Sequence, residues 1–252
     1  MDNDYSALQA RSALAGPQAR VSRKEKSRKP ARKRTRASRT SDQKILVSDS
    51  FTNYSTQSTW TDGQSFGPWR VVFAGYGPVS VVSSPTSALR IQPATATGPE
   101  STHASLVVSR ESYAPPCLRV GARLRTVNQL RQGSPPNPWE VGWLVWDYTD
   151  NDHFTYLALK PNGWELGKRD PAYPGGQRFL ATGSHPVAEI GAWQEAVVKR
   201  RVRTATTSTS VIVNGKSVAN FVDSERPYRS GAVGIYSEDS TVELDRIAAR
   251  SC

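Results

Sequence analysis

The residues of this chain that best suit a binding or catalytic role alternate with apolar residues along short runs. In residues 153–160, Leu157 and Leu159 fall on one side of an extended chain, and Tyr156 and Lys160 fall on the other, because successive side chains of a strand point to opposite faces. An aromatic ring can stack on the flat C–H face of a sugar, while cations and carboxylates hydrogen-bond its hydroxyls. A sheet with one dry face and one aromatic, charged face therefore indicates a surface that binds a sugar polymer.

The same alternation, applied to three further runs, assigns more side chains to this polar face. The residues that we expect to fill the core are Ala104, Leu106, Val108, Val120, Ala122, Leu124, Val141, Trp143 and Val145. The side chains that then face the ligand are His103, Arg123, Arg125, Glu140, Trp146, Tyr156 and Lys160, with Trp139, Trp164, Lys168 and Arg169 at the rim. We predict that they form one carbohydrate-binding groove on the concave sheet, on the condition that no bulge reverses the phase of a strand.

An enzyme that acts on the same polymer is the main alternative. A polysaccharide lyase needs a cation to neutralise a uronate carboxylate, a base and an acid. Residues of those three types, in that order, are Arg123 or Arg125, His103 and Tyr156. A retaining glycoside hydrolase needs two carboxyls about 5–5.5 Å apart, but Glu140 and Asp147 are separated by an odd number of positions and point to opposite faces. The catalytic candidates are His103, Arg125, Glu140 and Tyr156.

The elements that position these residues are predicted to be short strands. From Ile45 onward, apolar or alternating runs end repeatedly at Gly, Pro, Asn, Asp or Ser, and none shows the 3.6-residue period of a helix. Asn214-Gly215 is the strongest turn signal and predicts a two-residue hairpin. The runs that we predict as strands are 44–48, 70–74, 79–82, 88–92, 104–109, 118–127, 139–147, 153–160, 163–169, 178–182, 193–202, 209–214, 217–222, 231–237 and 241–248. They predict an all-β fold, a two-sheet antiparallel β-sandwich or jelly roll.

The positive charge is concentrated before these strands. The 252-residue chain has a net charge of +11, and residues 20–39 contain eleven Lys and Arg against the single acid Glu25. Such a block of like charges without apolar periodicity is typical of a solvated segment. We therefore predict a disordered basic arm over residues 1–43 and a sandwich domain over residues 44–252.

The partners that we expect follow from this division. The domain binds a poly- or oligosaccharide, and the arm binds an anionic polymer, either nucleic acid or an acidic glycan. A basic arm before a jelly roll also allows a third class of function, a capsid or structural protein that binds nucleic acid. The sequence has no apolar run of about 18 residues that predicts a membrane span and no visible secretory signal. We expect a monomer.

The C-terminal half resembles a known superfamily. Residues 211–247 read VIVNGKSVANFVDSERPYRSGAVGIYSEDSTVELDRI, and residues 47–51 read VSDSF. This order resembles the concanavalin A-like lectin/glucanase jelly roll, especially its laminin-G-like and glycoside hydrolase family 16-like domains, over about residues 45–250. The resemblance implies a secreted or cell-surface location and a structural calcium ion held by Asp49 and Asp245. The Glu-x-Asp-x-x-Glu motif of the family 16 hydrolases is absent from this sequence.

The two cysteines leave two possibilities open. Cys117 and Cys252 can form a disulfide if both lie at the same end of the sandwich, and otherwise they are ordinary thiols.

Overall fold

The computed structural model describes residues 43–83, 86–98 and 101–252. Of the basic arm predicted over residues 1–43, only Gln43 belongs to this part of the chain, so the arm lies outside the described residues. The described residues form strands together with one short 3-10 segment, Pro174–Gly176. Among these residues, no helix is long and apolar enough to cross a membrane.

The strands follow one another along the chain with short connections. In chain order they are β1 Ile45–Asp49, β2 Thr59–Trp60, β3 Ser65–Phe66, β4 Trp69–Phe73, β5 Val79–Ser83, β6 Ser87–Ile91, β7 Ala104–Ser109, β8 Cys117–Gln129, β9 Gly142–Asp150, β10 His153–Lys160, β11 Gly163–Arg169, β12 Gln177–Gly183, β13 Gln194–Val202, β14 Thr207–Val213, β15 Lys216–Asp223, β16 Ala232–Glu238 and β17 Ser240–Ser251. The strands predicted from the sequence are present with shifts of a few residues, and the short β2 and β3 are additional.

The strands pair into two antiparallel sheets, as predicted. Within the described part of the chain, the nine-stranded sheet has the order β15-β14-β13-β8-β17-β6-β5-β2, and β1 also pairs with β17. The eight-stranded sheet has the order β12-β11-β10-β9-β16-β7-β4-β3. The turn at Asn214-Gly215 joins β14 to β15, and both residues have positive φ, 49° and 77°, as a type I′ turn requires. The two-sheet sandwich predicted from the alternation is therefore confirmed.

The main hydrophobic core lies between the sheets. Leu124 and Val198 reach it from the nine-stranded sheet, and Leu144, Trp146 and Leu157 reach it from the eight-stranded sheet. A second cluster of buried apolar residues is drawn largely from β7, β9, β10 and β16, which are neighbours in the eight-stranded sheet. Because side chains alternate across a strand, this second cluster lies on the outer face of that sheet.

A disulfide and a buried ion pair add to this packing. Cys117, at the start of β8, forms a disulfide with Cys252, which directly follows β17, the strand paired with β8. The pairing places both cysteines at one end of the sandwich, which resolves the alternative that the sequence left open. Between the sheets, Arg200 of β13 makes a bidentate ion pair with Asp147 of β9, and both side chains are fully buried.

Candidate functional site

A continuous row of aromatic rings crosses the outer face of the eight-stranded sheet. The ring centroids of Tyr236 and Trp143 are 4.8 Å apart, and those of Trp143 and Tyr156 are 4.4 Å apart. Phe73 extends the row beyond Tyr236 with a centroid distance of 6.4 Å, and Phe154 extends it beyond Tyr156 with the same distance. We call this surface, with its row of Phe73, Tyr236, Trp143, Tyr156 and Phe154, the aromatic face.

Strand register explains why these rings meet. Trp143 lies opposite Tyr236 across β9 and β16, and Val145 lies opposite Tyr156 across β9 and β10. Cross-strand partners share a face, so the three rings project from the same side of the sheet. On the next strand, Gly167 lies opposite Tyr156, and a Cβ atom there would collide with the tyrosine ring. A residue without a side chain at this position therefore makes room for the row.

Polar groups surround the Tyr156 end of the row. The Tyr156 hydroxyl donates a hydrogen bond to Glu165 Oε1 at 2.8 Å, and Lys160 Nζ donates to Glu165 Oε2 at 2.9 Å. Gln177 Nε2 donates to the same hydroxyl. Burial and the Glu165 carboxylate raise the pKa of Tyr156 well above its ordinary value, so its phenol stays protonated and remains a donor.

A cluster of acids, which we call the acid cluster, lies at the Tyr236 end of the row: Glu238, Asp239 and Glu140. The Tyr236 hydroxyl donates to Glu238 Oε1 at 3.1 Å. Burial raises the pKa of Glu238 to about 7, and the carboxylates of Asp239 and Glu140 contribute in the same direction. A carboxyl that titrates near neutral pH can exchange a proton with a bound molecule, as a general acid or base does.

The other two acids are held by neighbouring donors. The Asp239 carboxylate accepts hydrogen bonds from the His103 backbone N–H at 2.9 Å and from Arg131 at 2.8 Å. Arg131 also contacts Oε1 of the fully buried Glu140, which accepts a second bond from Asn137 at 2.7 Å. Oε2 of Glu140 has no hydrogen-bond partner among the residues that the structure describes. A buried carboxylate oxygen without a donor leaves part of its desolvation cost uncompensated.

Three of the residues predicted from the sequence, Tyr156, Lys160 and Glu140, have their side chains on this side of the sandwich. Tyr156 and Lys160 project from the aromatic face, because the run over residues 153–160 has the predicted phase, with Leu157 and Leu159 in the main core. Glu140 joins the acid cluster through Arg131. His103 contributes only its backbone N–H, to Asp239, while its ring Nδ1 lies 2.9 Å from the Ala94 carbonyl oxygen and its ring contacts Tyr76.

The prediction for β9 was wrong. Trp146 is fully buried between the sheets with Leu144, while Trp143 and Val145 belong to the cluster on the outer face. The run from Gly142 to Tyr148 is buried on both faces, so apolar residues occur at every position and the alternation contains no information about phase. The phase of β7 was reversed for the same reason, and Leu106 and Val108 lie on the outer face.

Two residues predicted at the rim also lie inside. Trp164 packs in the main core, and its Nε1 donates to the His185 carbonyl at 2.8 Å. Lys168 is 1% exposed, and its ammonium group donates to Asp223 at 2.9 Å. Both faces of β11 are covered from Gly163 to Lys168, so Trp164 and Lys168 do not reach a rim.

Arg123 and Arg125 belong to the other sheet. They project from the outer face of the nine-stranded sheet, where both guanidinium groups lie against the Trp193 ring, at 4.6 and 4.7 Å from its centroid. Arg125 pairs with Glu243 at 2.7 Å, and Arg123 pairs with Asp245. Their predicted phase on β8 is right, but the prediction of one shared groove was wrong. Arg125 therefore does not meet Tyr156 or His103, and the catalytic trio considered for a lyase is divided between two faces.

The residues predicted to hold calcium do not fit that ion. The Asp49 carboxylate accepts three hydrogen bonds, from the Phe51 backbone N–H, the Tyr54 hydroxyl and Trp69 Nε1, each at 2.8 Å. Asp245 is neutralised by Arg123. Among residues 43–83, 86–98 and 101–252, no group of three or more His, Cys, Asp or Glu could hold a metal ion. Calcium needs six to eight oxygen ligands, which this pair does not supply.

Sequence reasoning missed Tyr236, Glu238, Glu165 and Trp143 as site residues. Tyr236 and Glu238 alternate with the buried Ile235 and Ser237 in the same GAVGIYSED segment on which the superfamily resemblance rests. That alternation was a usable signal for the first two.

The comparisons with known proteins give structural similarity only. No protein-family profile matches the chain, and no curated protein matches it by sequence. Similar solved structures include a seed lectin of Lotus tetragonolobus, which is 8% identical with a TM-score of 0.48 over 76% of this chain and 96% of the lectin. An endo-1,3-beta-glucanase from Streptomyces sioyaensis is 12% identical with a TM-score of 0.48 over 83% of this chain and 96% of the enzyme. The Ca²⁺-bound exoplasmic/lumenal domain of VIP36 is 9% identical with a TM-score of 0.46 over 77% of this chain and 87% of that domain. The chain is thus similar to solved structures of both classes, lectin and glucanase, that the resemblance in its sequence named.

Proposed function

We propose that this chain binds a poly- or oligosaccharide on its aromatic face. The observation that carries the proposal is the unbroken row of rings from Phe73 to Phe154, which has hydrogen-bonding groups at both ends. The half-buried rings of Phe73 and Tyr236 supply apolar surface for sugar C–H groups, and carboxylates, phenols and amides supply partners for sugar hydroxyls.

The partly exposed groups of this face are the expected points of contact. Tyr236, Glu238, Gln177 and Arg169 are all half-buried, whereas Trp143 and Tyr156 lie beneath them with 5% and 0% exposure. The deeper rings therefore hold the outer groups in position, and the outer groups contact the sugar.

The test begins with a glycan array probed with the full chain, followed by calorimetric titration of the best ligand. Stacking on one aromatic side chain contributes about 1–3 kcal/mol where it has been measured for nucleic-acid bases. Tyr236→Ala should therefore weaken binding about tenfold or more.

The matched control is Trp193→Ala, which removes an aromatic ring from the outer face of the opposite sheet. It should leave the affinity within about twofold of the wild-type value. The reverse result, with binding lost in Trp193→Ala and kept in Tyr236→Ala, would place the ligand beside Arg123 and Arg125 and refute the proposal.

A second candidate function, glycoside hydrolysis, is favoured by one observation. Burial, together with the Asp239 and Glu140 carboxylates, raises the pKa of Glu238 to about 7. In this mechanism, Glu238 donates its proton to the glycosidic oxygen as the glycosidic bond breaks, and water adds to the anomeric carbon and returns a proton to Glu238. The buried Glu140 carboxylate contributes by raising the pKa of Glu238.

The hydrolase proposal is tested on the glycans that bind. New reducing ends should appear with wild-type protein, and Glu238→Gln should abolish their formation while retaining binding. Unsaturated ends, detected at 235 nm, would instead indicate a lyase. If a glycan binds but is never cleaved, the hydrolase proposal fails and the binding proposal stands.

A further inference from the structure

A row of cations crosses three adjacent strands on the outer face of the nine-stranded sheet. Lys199 of β13 lies directly opposite Arg119 of β8, and Arg119 lies directly opposite Arg250 of β17. Directly opposed residues share a face, and neighbouring strands are about 4.8 Å apart. Like charges at such positions repel and destabilise a sheet. The row therefore contributes nothing favourable to the fold by itself.

Other cations on this face have ion-pair partners. Arg90 and Arg125 pair with Glu243, and Arg246 pairs with Glu195. By contrast, the described residues provide no ion pair for Lys199, Arg119 or Arg250. The face is thus neutralised at one end and cationic at the other.

The cationic end continues into a cleft. Arg201 lies two residues beyond Lys199 on the same side of β13, and Arg201 and Arg203 line a cleft of about 390 Å³ beside the disulfide. Arg119, Arg201, Arg203 and Arg250 are all exposed to solvent.

Hydroxyl groups flank this set of cations. Ser210 lies opposite Lys199, and Ser208 lies opposite Arg201, on the adjacent strand β14. We call the five cations Arg119, Lys199, Arg201, Arg203 and Arg250 the basic patch.

We propose that the basic patch is a second binding site, which takes an acidic polysaccharide with carboxylate or sulfate groups. Guanidinium groups bind such oxyanions through paired, charge-assisted hydrogen bonds, and the serine hydroxyls suit sugar hydroxyls. Single-stranded nucleic acid fits less well, because its binding surfaces use aromatic rings as stacking platforms and no residue of the basic patch is aromatic. The site lies on the opposite side of the sandwich from the aromatic face and does not depend on the function proposed there.

The test uses a full-length chain in which the eleven Lys and Arg of residues 20–39 are replaced by Gln, because the arm would otherwise bind polyanions itself. The probe is a fluorescent heparin dodecasaccharide, followed by anisotropy as a function of salt. In this background, the triple variant Arg119→Gln, Lys199→Gln and Arg250→Gln should bind at least about tenfold more weakly. The salt dependence of its affinity should fall by roughly 0.7 per charge removed, the value found for single-stranded nucleic acids.

Arg246→Gln is the matched control, because Arg246 lies on β17 like Arg250 and is exposed but ion-paired. It should bind within about twofold of the background, and melting curves should show that both variants are folded. The proposal is overturned if the background does not bind heparin, if the triple variant binds like the background, or if Arg246→Gln loses as much affinity. A single-stranded or duplex oligonucleotide of equal charge that binds more tightly than heparin, with the same dependence on the three residues, would also overturn it in favour of nucleic acid.

Discussion

At the scale of single residues, the surroundings of Glu238 beside the aromatic face change the pKa of its carboxyl, which can be measured. Its carboxyl is placed between a phenol that stabilises its charge and two other carboxylates that oppose it, in surroundings that disfavour any charge. The pKa of Glu238 rises from 4.5 to about 7, so the folded protein holds this proton more tightly than the unfolded chain does.

This difference predicts a pH dependence of stability. Between pH 4.5 and 7 the folded state binds more protons at Glu238, so the stabilisation is complete below pH 4.5 and is lost as pH rises through about 7. Glu238→Gln removes the titration. The unfolding free energy of wild type relative to Glu238→Gln, measured with urea, should therefore fall by up to about 3 kcal/mol between pH 4.5 and pH 8. Parallel pH profiles for the two proteins would contradict the assignment.

The corrected position of Trp146 gives a second prediction at this scale. Trp146 is fully buried between the sheets, so Trp146→Ala should cost about 3–5 kcal/mol of unfolding free energy. Trp146→Phe should cost less, because it keeps most of the ring and removes an indole N–H that has no acceptor among the described residues. Tyr76→Ala is the control, since Tyr76 is 84% exposed and should change stability by no more than about 0.5 kcal/mol. Equal losses in all three variants would show that burial does not set the cost.

At the scale of elements, the two sheets are connected by an ion pair as well as by apolar packing. Arg200 of β13 and Asp147 of β9 are each 1% exposed, and the aspartate has a φ of 53°. Desolvation raises the pKa of Asp147 despite the adjacent guanidinium. An aspartate tolerates this left-handed backbone better than most residues do. The same residue therefore provides both the local bend in β9 and the negative charge that pairs with Arg200.

Breaking this pair should be costly. Asp147→Asn keeps a side chain that accepts the backbone conformation but leaves the Arg200 cation buried without a counter-charge, which costs about 3–5 kcal/mol. Denaturant unfolding of Asp147→Asn measures the loss. Asp150→Asn, on the same strand, disrupts an exposed pair with His153 and should cost no more than about 1 kcal/mol. A loss at Asp147 as small as that at Asp150 would show that the inter-sheet pair is not needed.

At the scale of the whole molecule, the disulfide joins Cys252, directly after β17, to the start of β8, across 135 residues of sequence. It closes most of the sandwich strands into one covalent loop. A cross-link of this span stabilises a protein mainly by restricting its unfolded chain.

Reduction should therefore lower stability by about 2–5 kcal/mol. Melting of the wild-type protein with and without a phosphine reductant measures this effect. Cys252→Ser should melt like the reduced protein, and its melting temperature should not respond to the reductant. An unchanged melting temperature of the wild-type protein after verified reduction would contradict the prediction.

The arrangement of charge is also a property of the whole molecule. Acidic groups lie beside the aromatic face of the eight-stranded sheet, and the basic patch lies on the outer face of the other sheet. The sandwich therefore presents two chemically different surfaces on opposite sides, which suits two different ligands.

The sequence by itself determined the class of fold. Period-2 alternation is a property of neighbouring residues, and the Asn214-Gly215 turn needs only its own backbone to reverse the chain. The phase of β10 followed from the same local rule, because Leu157 and Leu159 alternate with Tyr156 and Lys160. These predictions succeeded where one face of a strand differs from the other in polarity.

Only the tertiary structure decided how the faces combine. In β9 both faces are buried, so nothing in the local pattern distinguishes Trp143 from Trp146. Arg125 and Tyr156 each alternate correctly, yet they lie on opposite sides of the sandwich, because pairing between distant strands assigns each strand to a sheet. The union of Cys117 with Cys252 depends on the same long-range pairing of β8 with β17. Alternation decides on which face of its strand a side chain lies. Only the order of the strands in the two sheets decides which of these faces come together.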